Sequence, residues 1–488
     1  MKIINSILCV LLSMVAFAQD DQAKVEETVK KSTIEGHIYF LASDELRGRE
    51  AGEPGADIAA KYLGTTLRRY GVQSVEGAKE GYYQPVALRK FLNANEVSIA
   101  LDGKKYDNAI CHTRTNLNKE AKVIFIGYGL EEDYKKGVDY KGNILLAKAG
   151  AADNTNSRDL YRLGNQKLKL AEEKGALALV EFHSFEAEYW QNVKHYNSRS
   201  LVTLAAADNK SLEKDISHVW INTNEAALSN AKSAELMLSG GKNEVVVSHN
   251  VVGMVEGTDP ELKDEFVIYS AHYDHVGVGA PNAEGDSIYN GARDNAVGTV
   301  TVLSAAENIA KYPTKRSALF ILFTAEEKGL LGSKYYVENP LIPLEQMVYC
   351  FNSDNASYND TSKATIVGLE RTTASDHIKT AASAFGITAI DDPAPEQNLF
   401  DRSDNVHFAK KGIPAPTFSL GFTAFDAEVF KYYHQPADNP DNLDYEYLHK
   451  FFSAYVLSCR NIANADETPF WIEGDKYYEA GKSLYNKK

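Results

Sequence analysis

The apolar run Phe266-Val267-Ile268-Tyr269-Ser270 passes directly into Ala271-His272-Tyr273-Asp274-His275. It has no polar face, so it reads as a strand buried within a sheet. Such a strand delivers a His-x-Asp pair to the sheet's edge. His272 at that place can ligate a metal through one ring nitrogen while Asp274 fixes the other. It can equally be an ordinary hydrogen-bonded polar group, and the surrounding chain has to choose.

A strand-then-helix rhythm runs from residue 249 to about 465. Residues 250–255, 266–270, 318–323 and 347–351 read as strands, and 295–310, 332–338 and 444–464 as helices. This alternation predicts an α/β fold with a mixed, mostly parallel central sheet flanked by helices. Ahead of it, 19–118 opens with a helical pattern over 25–41. A loop at 44–55, rich in Arg, Glu and Gly, leads to an amphipathic helix over 56–70 closed by Gly71. The loop reads either as structural or as facing a substrate. Residues 119–248 change character, with strands expected at 122–127, 143–148 and 175–180 and a helix at 165–174. They read as an inserted, smaller β-rich or α+β module without a catalytic cluster. His183, His195 and His218 there lack carboxylates at a useful spacing and read as surface or core residues. The expected organisation is 1–18, 19–118, 119–248 and 249–488.

A chain of 488 residues has room for two or three such domains. Its formal net charge of −15, with no Lys/Arg run, argues against a nucleic-acid partner. Residues 1–18 read as an export signal, with Lys2 ahead of a largely apolar 3–15 and Ala16-Phe17-Ala18 as the cleavage site. A periplasmic or extracellular protein is therefore expected. The run is too short to cross a bilayer and no later stretch is apolar for long enough, so no membrane span is expected. Cys9 belongs to the signal. Cys111, Cys350 and Cys459 are scattered and form no CxxC pair, which disfavours a thiolate metal site.

Further polar residues stand at expected strand ends or helix starts. Asp294 opens the helix after Gly291-Ala292-Arg293, as an N-cap or as a ligand. Glu326 and Glu327 follow the strand at 318–323, and adjacent desolvated carboxylates repel unless a cation or proton compensates. Asp354 follows the next strand. His434 lies in the loop Tyr432-Tyr433-His434-Gln435-Pro436. Ligands of open α/β sheets bind beyond the carboxyl ends of the strands, which brings His272, Asp294, Glu326, Glu327 and Asp354 to one crevice. Oxygen and nitrogen donors without thiolate suit zinc or a similar divalent ion. Five are too many for one tetrahedral site with an open position; two ions sharing a bridging carboxylate fit better.

The ordered set Ala271-His-Tyr-Asp-His275, Gly291-Ala-Arg-Asp-Asn-Ala-Val-Gly298, Thr324-Ala-Glu-Glu327, Asn352-Ser-Asp354 and Tyr433-His-Gln-Pro-Ala-Asp438 resembles the co-catalytic zinc aminopeptidase family. That family also holds glutamate carboxypeptidases and glutaminyl cyclases. Residues 37–71 are similar to its N-terminal segment, and 119–248 resemble the protease-associated domain inserted in many members. The resemblance implies two zinc ions, with His272 and Asp354 on one, Glu327 and His434 on the other, and Asp294 between them. It implies Glu326 as general base on a metal-bound water and Asp274 orienting His272. The implied activity is removal of N-terminal residues from peptides. A carboxypeptidase or dipeptidase on acidic peptides, a glutaminyl cyclase and a non-catalytic receptor-like relative are the alternatives.

The chain departs from the family at Arg293, where an acidic residue is usual, at Val297 and at Asn355. Arg293 reads either as a binder of a substrate carboxylate or as the partner of a surface acid. Arg402 also keeps the carboxypeptidase reading open. It belongs to 401–408, which resembles a substrate-side loop of the family, with Asn405 where His is common. His275 and His407 read as supporting or surface residues rather than ligands.

Overall fold

The computed structural model describes residues 20–152, 157–207, 216–224 and 226–486. The expected export signal and Cys9 lie outside them. The chain forms two compact units, Met1–Val86 with Val247–Lys488, and Ala87–Val246.

In the first unit the fully buried strand Phe266–His272 lies parallel to Ser317–Phe323 on one side and to Met347–Ser353 on the other. Thr417–Leu420 continues the parallel set beyond Met347–Ser353. Lys242–Val255 runs antiparallel to Ser317–Phe323, and Lys363–Val367 antiparallel to Thr417–Leu420, so the sheet is mixed as expected. The period of two decides which side each residue serves. Val267, Tyr269 and Ala271 join the apolar cluster built with Pro54–Arg69, Gly298–Lys311 and Tyr445–Asn464. Phe266 and Ile268 join the cluster on the other face, with Tyr336, Phe408 and Trp471. Burial on both faces explains the missing polar alternation, and each large side chain contributes about 1.5–3 kcal/mol by leaving water.

In the second unit the parallel strands Leu117–Phe125, Ile144–Lys148, Ala178–His183 and Ser217–Asn222 form the sheet's middle. This unit begins at Ala87, upstream of the expected 119. Glu96–Leu101 pairs antiparallel with Ser233–Ser239, and Ala109–Cys111 with Ser217–Asn222. Short strands whose partners lie more than a hundred residues onward carry no local mark of the domain they join. His183 and His218 are core residues here, 3% exposed each. His218 also has the carboxylate that its sequence neighbourhood lacks: Glu181, 2.7 Å away on the adjacent strand. No described helix is long and apolar enough to cross a membrane.

Candidate active site

The strand ends of the first unit bring the polar residues together. His272 is the last residue of its strand, and Asp354 directly follows Ser353. Glu326 and Glu327 follow Phe323 across a turn in which Ala325 has φ 57°. Asp294 lies in an irregular helical turn, Ala292–Val297, and the regular helix starts at Gly298 rather than at 295. The N-cap alternative for Asp294 fails, because Asn295 takes that work. Its Oδ1 accepts from the Gly298 N–H at 3.1 Å, and its Nδ2 donates to the Ser353 carbonyl. Asp294's carboxylate is left to face the crevice.

The two oxygens of Asp294 look in different directions. Oδ1 lies 3.4 Å from His272 Nε2, and Oδ2 lies 3.1 Å from His434 Nε2. His272 Nε2 is also 3.2 Å from Asp354, and His434 Nε2 is 3.2 Å from Glu327. Two donor groups result, His272 with Glu326 and Asp354, and His275 with Asp294, Glu327 and His434. His275, read from sequence as a supporting or surface residue, is fully buried and places Nδ1 2.9 Å from Glu327.

These groups call for positive charge. The carbonyl oxygen of Asp274 accepts from His272 Nδ1 at 3.1 Å, which turns Nε2 toward carboxylates. A neutral imidazole would present a lone pair to them; a metal ion or a second proton resolves the conflict. Burial, together with the charges of Asp354 and Glu327, holds Glu326 well above the usual carboxylate range. Burial also opposes charge on His434, but Glu327 and Asp294 outweigh it and push the ring up to about 10. Nitrogen and oxygen donors in two groups sharing a carboxylate edge therefore fit a pair of zinc ions. The three described cysteines are free, buried and outside both groups.

Asp274 acts through different atoms than expected. Its carboxylate is 3.9 Å from His272 Nδ1 and instead accepts from the Glu326 N–H at 3.1 Å and the Glu327 N–H at 3.4 Å. It sets the turn that carries both glutamates, while its carbonyl orients His272.

Arg293 does not line the cleft. Its guanidinium is buried beside Asp438, at 3.0 Å, donates to the Asn442 side chain and carbonyl, and lies 3.7 Å over the Tyr432 ring. Neither a substrate carboxylate nor a surface acid is its partner; the acid is interior. Asp438 also accepts from the main-chain N–H groups of Arg293 and Asp294, so it fixes the Asp294 turn. Sequence reasoning quoted Asp438 within a motif without giving it a role. The 44–55 loop proves structural at Arg49, which is 1% exposed and donates to the carbonyls of Leu41, Tyr273, Asn290 and Gly291. Gly291 has φ 60°, and a Cβ there would lie 2.6 Å from the His275 ring and 2.2 Å from the Asp294 carbonyl oxygen.

The cleft has a volume of about 100 Å³. His272, Asp294, Glu326, Glu327, Asp354 and His434 line its polar end. Val367, Leu399, Phe422 and Phe425 line an apolar side, and Arg402 stands at the wall with Nη2 3.5 Å from the Tyr433 hydroxyl. Tyr433 was missed as a cleft residue. Burial raises its phenol above the usual range, so it stays a proton donor.

Residues 250–457 match the model of peptidase family M28. The chain is 26% identical to aminopeptidase YwaD of Bacillus subtilis over 68% of this chain and 73% of that one. It is 23% identical to the probable leucine aminopeptidase 2 of Aspergillus fumigatus over 86% of this chain and 79% of that protein. Its fold is that of the aminopeptidase from Aneurinibacillus sp. strain AM-1, with TM-score 0.57 and 21% identity over 92% and 97% of the two chains. The zinc aminopeptidase BSAP from Bacillus subtilis gives TM-score 0.53 at the same identity and coverage.

Proposed function

We propose that the chain is a peptidase of family M28, the co-catalytic zinc peptidases, and that it is an exported aminopeptidase removing N-terminal residues from peptides. The observation that carries the reading is Asp294, whose oxygens face His272 and His434 from one carboxylate. His272 with Asp354, and Glu327 with His434, would hold one zinc each, with Asp294 shared. Zinc bound there supplies Lewis acidity that brings the pKa of water to about 7 and polarises the scissile carbonyl. Glu326 stands in the cleft to take the proton from the attacking water and return it to the leaving amine. Its backbone N–H is tied to Asp274, which fixes the turn from which its side chain enters the cleft. Tyr433 supplies a hydroxyl donor beside the metal ligands.

Glu326 is the lining carboxylate not assigned to a zinc ion, and Arg402 is the one arginine among the described lining residues. With Arg293 buried, the carboxypeptidase alternative rests on Arg402 alone. Export is read from the sequence of residues 1–18.

The test uses zinc-loaded protein and matched peptides with free or acetylated N-termini, read by mass spectrometry with and without chelator. Chelator-sensitive loss of the first residue from free-amine peptides alone is expected. Loss of the last residue from both sets would replace the reading by a carboxypeptidase. Glu326→Gln is expected to abolish turnover with zinc content retained.

A further inference from the structure

The second unit repeats, on the parallel middle of its own mixed sheet, the rule that places ligands beyond strand carboxyl ends. Lys148 and His183 close two of its strands, Thr223 and Asn224 follow a third, and Tyr128 follows the fourth. These residues, with Ser184, line a cavity of about 510 Å³, a size suited to a small molecule. Its floor is tied down. Asn222 clamps the Phe185 main chain at both N–H and C=O, the Thr223 N–H donates to the His183 carbonyl, and the buried Lys167 ammonium donates to the Lys148 carbonyl at 2.8 Å. Lys167 is itself held by Glu181 at 2.6 Å.

His183 has no partner for either ring nitrogen although it is 3% exposed and packed between Phe185 and Trp220. A buried imidazole with two unmet nitrogens costs free energy that a ligand's hydrogen bonds would recover. Burial brings its pKa down to about 3, so it is a neutral donor and acceptor, not a cation. The charge in the cavity belongs to Lys148, an exposed side chain whose ammonium lies 5.7 Å over the Tyr128 ring, with no carboxylate among the described lining residues. Phe182, Phe185 and Leu160 make the remaining wall apolar. An anion with an apolar neighbour fits this set. A free amino acid fits worse, because its ammonium would find no carboxylate among the described lining residues.

We propose that this cavity binds a carboxylate next to an apolar side chain, as presented by the C-terminal residue of a peptide, with Lys148 taking the charge and His183 a hydrogen bond. The site lies outside the zinc cleft and does not depend on peptidase activity.

The test is titration calorimetry of the zinc-loaded full chain with N-acetylphenylalanine, N-acetylphenylalaninamide and phenylalanine, none of which has a peptide bond after a free N-terminus. Saturable binding of N-acetylphenylalanine is expected, at least about tenfold tighter than the amide, which loses one charge-assisted contact, and tighter than phenylalanine, whose ammonium meets no carboxylate among the described lining residues. Lys148→Gln and His183→Phe are expected to weaken it by a similar factor while circular dichroism and peptide turnover stay as in wild type. Glu326→Gln is expected to leave it unchanged. Equal binding of the amide, no saturable binding at millimolar ligand, or wild-type affinity in both second-unit variants would overturn the proposal. In the last case the carboxylate sits at the zinc cleft.

Discussion

Replacing Arg293 by Met separates an interior scaffold role from a contact with substrate. The side chain keeps its bulk but loses the ion pair at 3.0 Å with Asp438, the Asn442 hydrogen bonds and the face of Tyr432. Asp438 is fully buried, and burial already pushes its carboxyl up while Arg293 pulls it down. Removing one member of a buried pair leaves an uncompensated charge and costs about 3–5 kcal/mol. Urea unfolding of the zinc-loaded protein measures this loss. Adding Asp438→Asn removes the stranded charge and keeps one acceptor for the turn, so the double variant is expected to regain about 2 kcal/mol. Turnover of free-acid and amidated peptides is expected to fall by the same factor, because Arg293 acts through the Asp294 turn. Wild-type stability with a selective loss on free-acid peptides would refute the scaffold role and restore Arg293 as a substrate contact.

Three further outcomes follow from the same geometry. Asp294→Ala is expected to lower zinc content at both positions, read by metal analysis after dialysis; full occupancy would show that each group holds its ion unaided. Gly291→Ala is expected to displace His275 and the Asp294 turn and to cost zinc affinity, and an unchanged affinity would mean that the loop yields without moving them. In the second unit, burial lowers His183 to about 3 from 6.5, and Glu181 is lowered to about 2 from 4.5, where burial raises it but the His218 hydrogen bond and the His218 and Lys167 charges prevail. Both depressed values give stability that is complete above pH 6.5 and lost as pH falls; at pH 5 His183 alone accounts for about 2 kcal/mol. Hydrogen exchange over 178–183 and 217–222 is expected to quicken across that window, and less so in His183→Phe, where His112, held low by burial against His218 and Trp220, still responds; an equal response in both would assign the loss elsewhere.

The sequence made the strand ends legible because burial on both faces leaves an unmistakable apolar run, and a polar residue directly after such a run has few places to go. His272, Glu326, Glu327 and Asp354 were found that way. What stayed hidden was exchange of roles between neighbours. Asn295 rather than Asp294 caps the helix, and the Asp274 carboxylate serves the glutamate turn rather than His272. Both depend on the path of the chain between elements, which periodicity does not encode. The burial of Arg293 was hidden because Asp438, its partner, comes 145 residues later. The first strands of the second unit carry no local mark of the unit they join for the same reason, their partners being remote.

Anomalous diffraction at the zinc edge from crystals of the zinc-loaded protein tests the central claim most directly. Two peaks are expected, one on each side of Asp294, the first shared with His272 and Asp354 and the second with Glu327 and His434, with Glu326 bound to neither. A single peak, or two that leave Asp294 outside both coordination shells, would contradict the account.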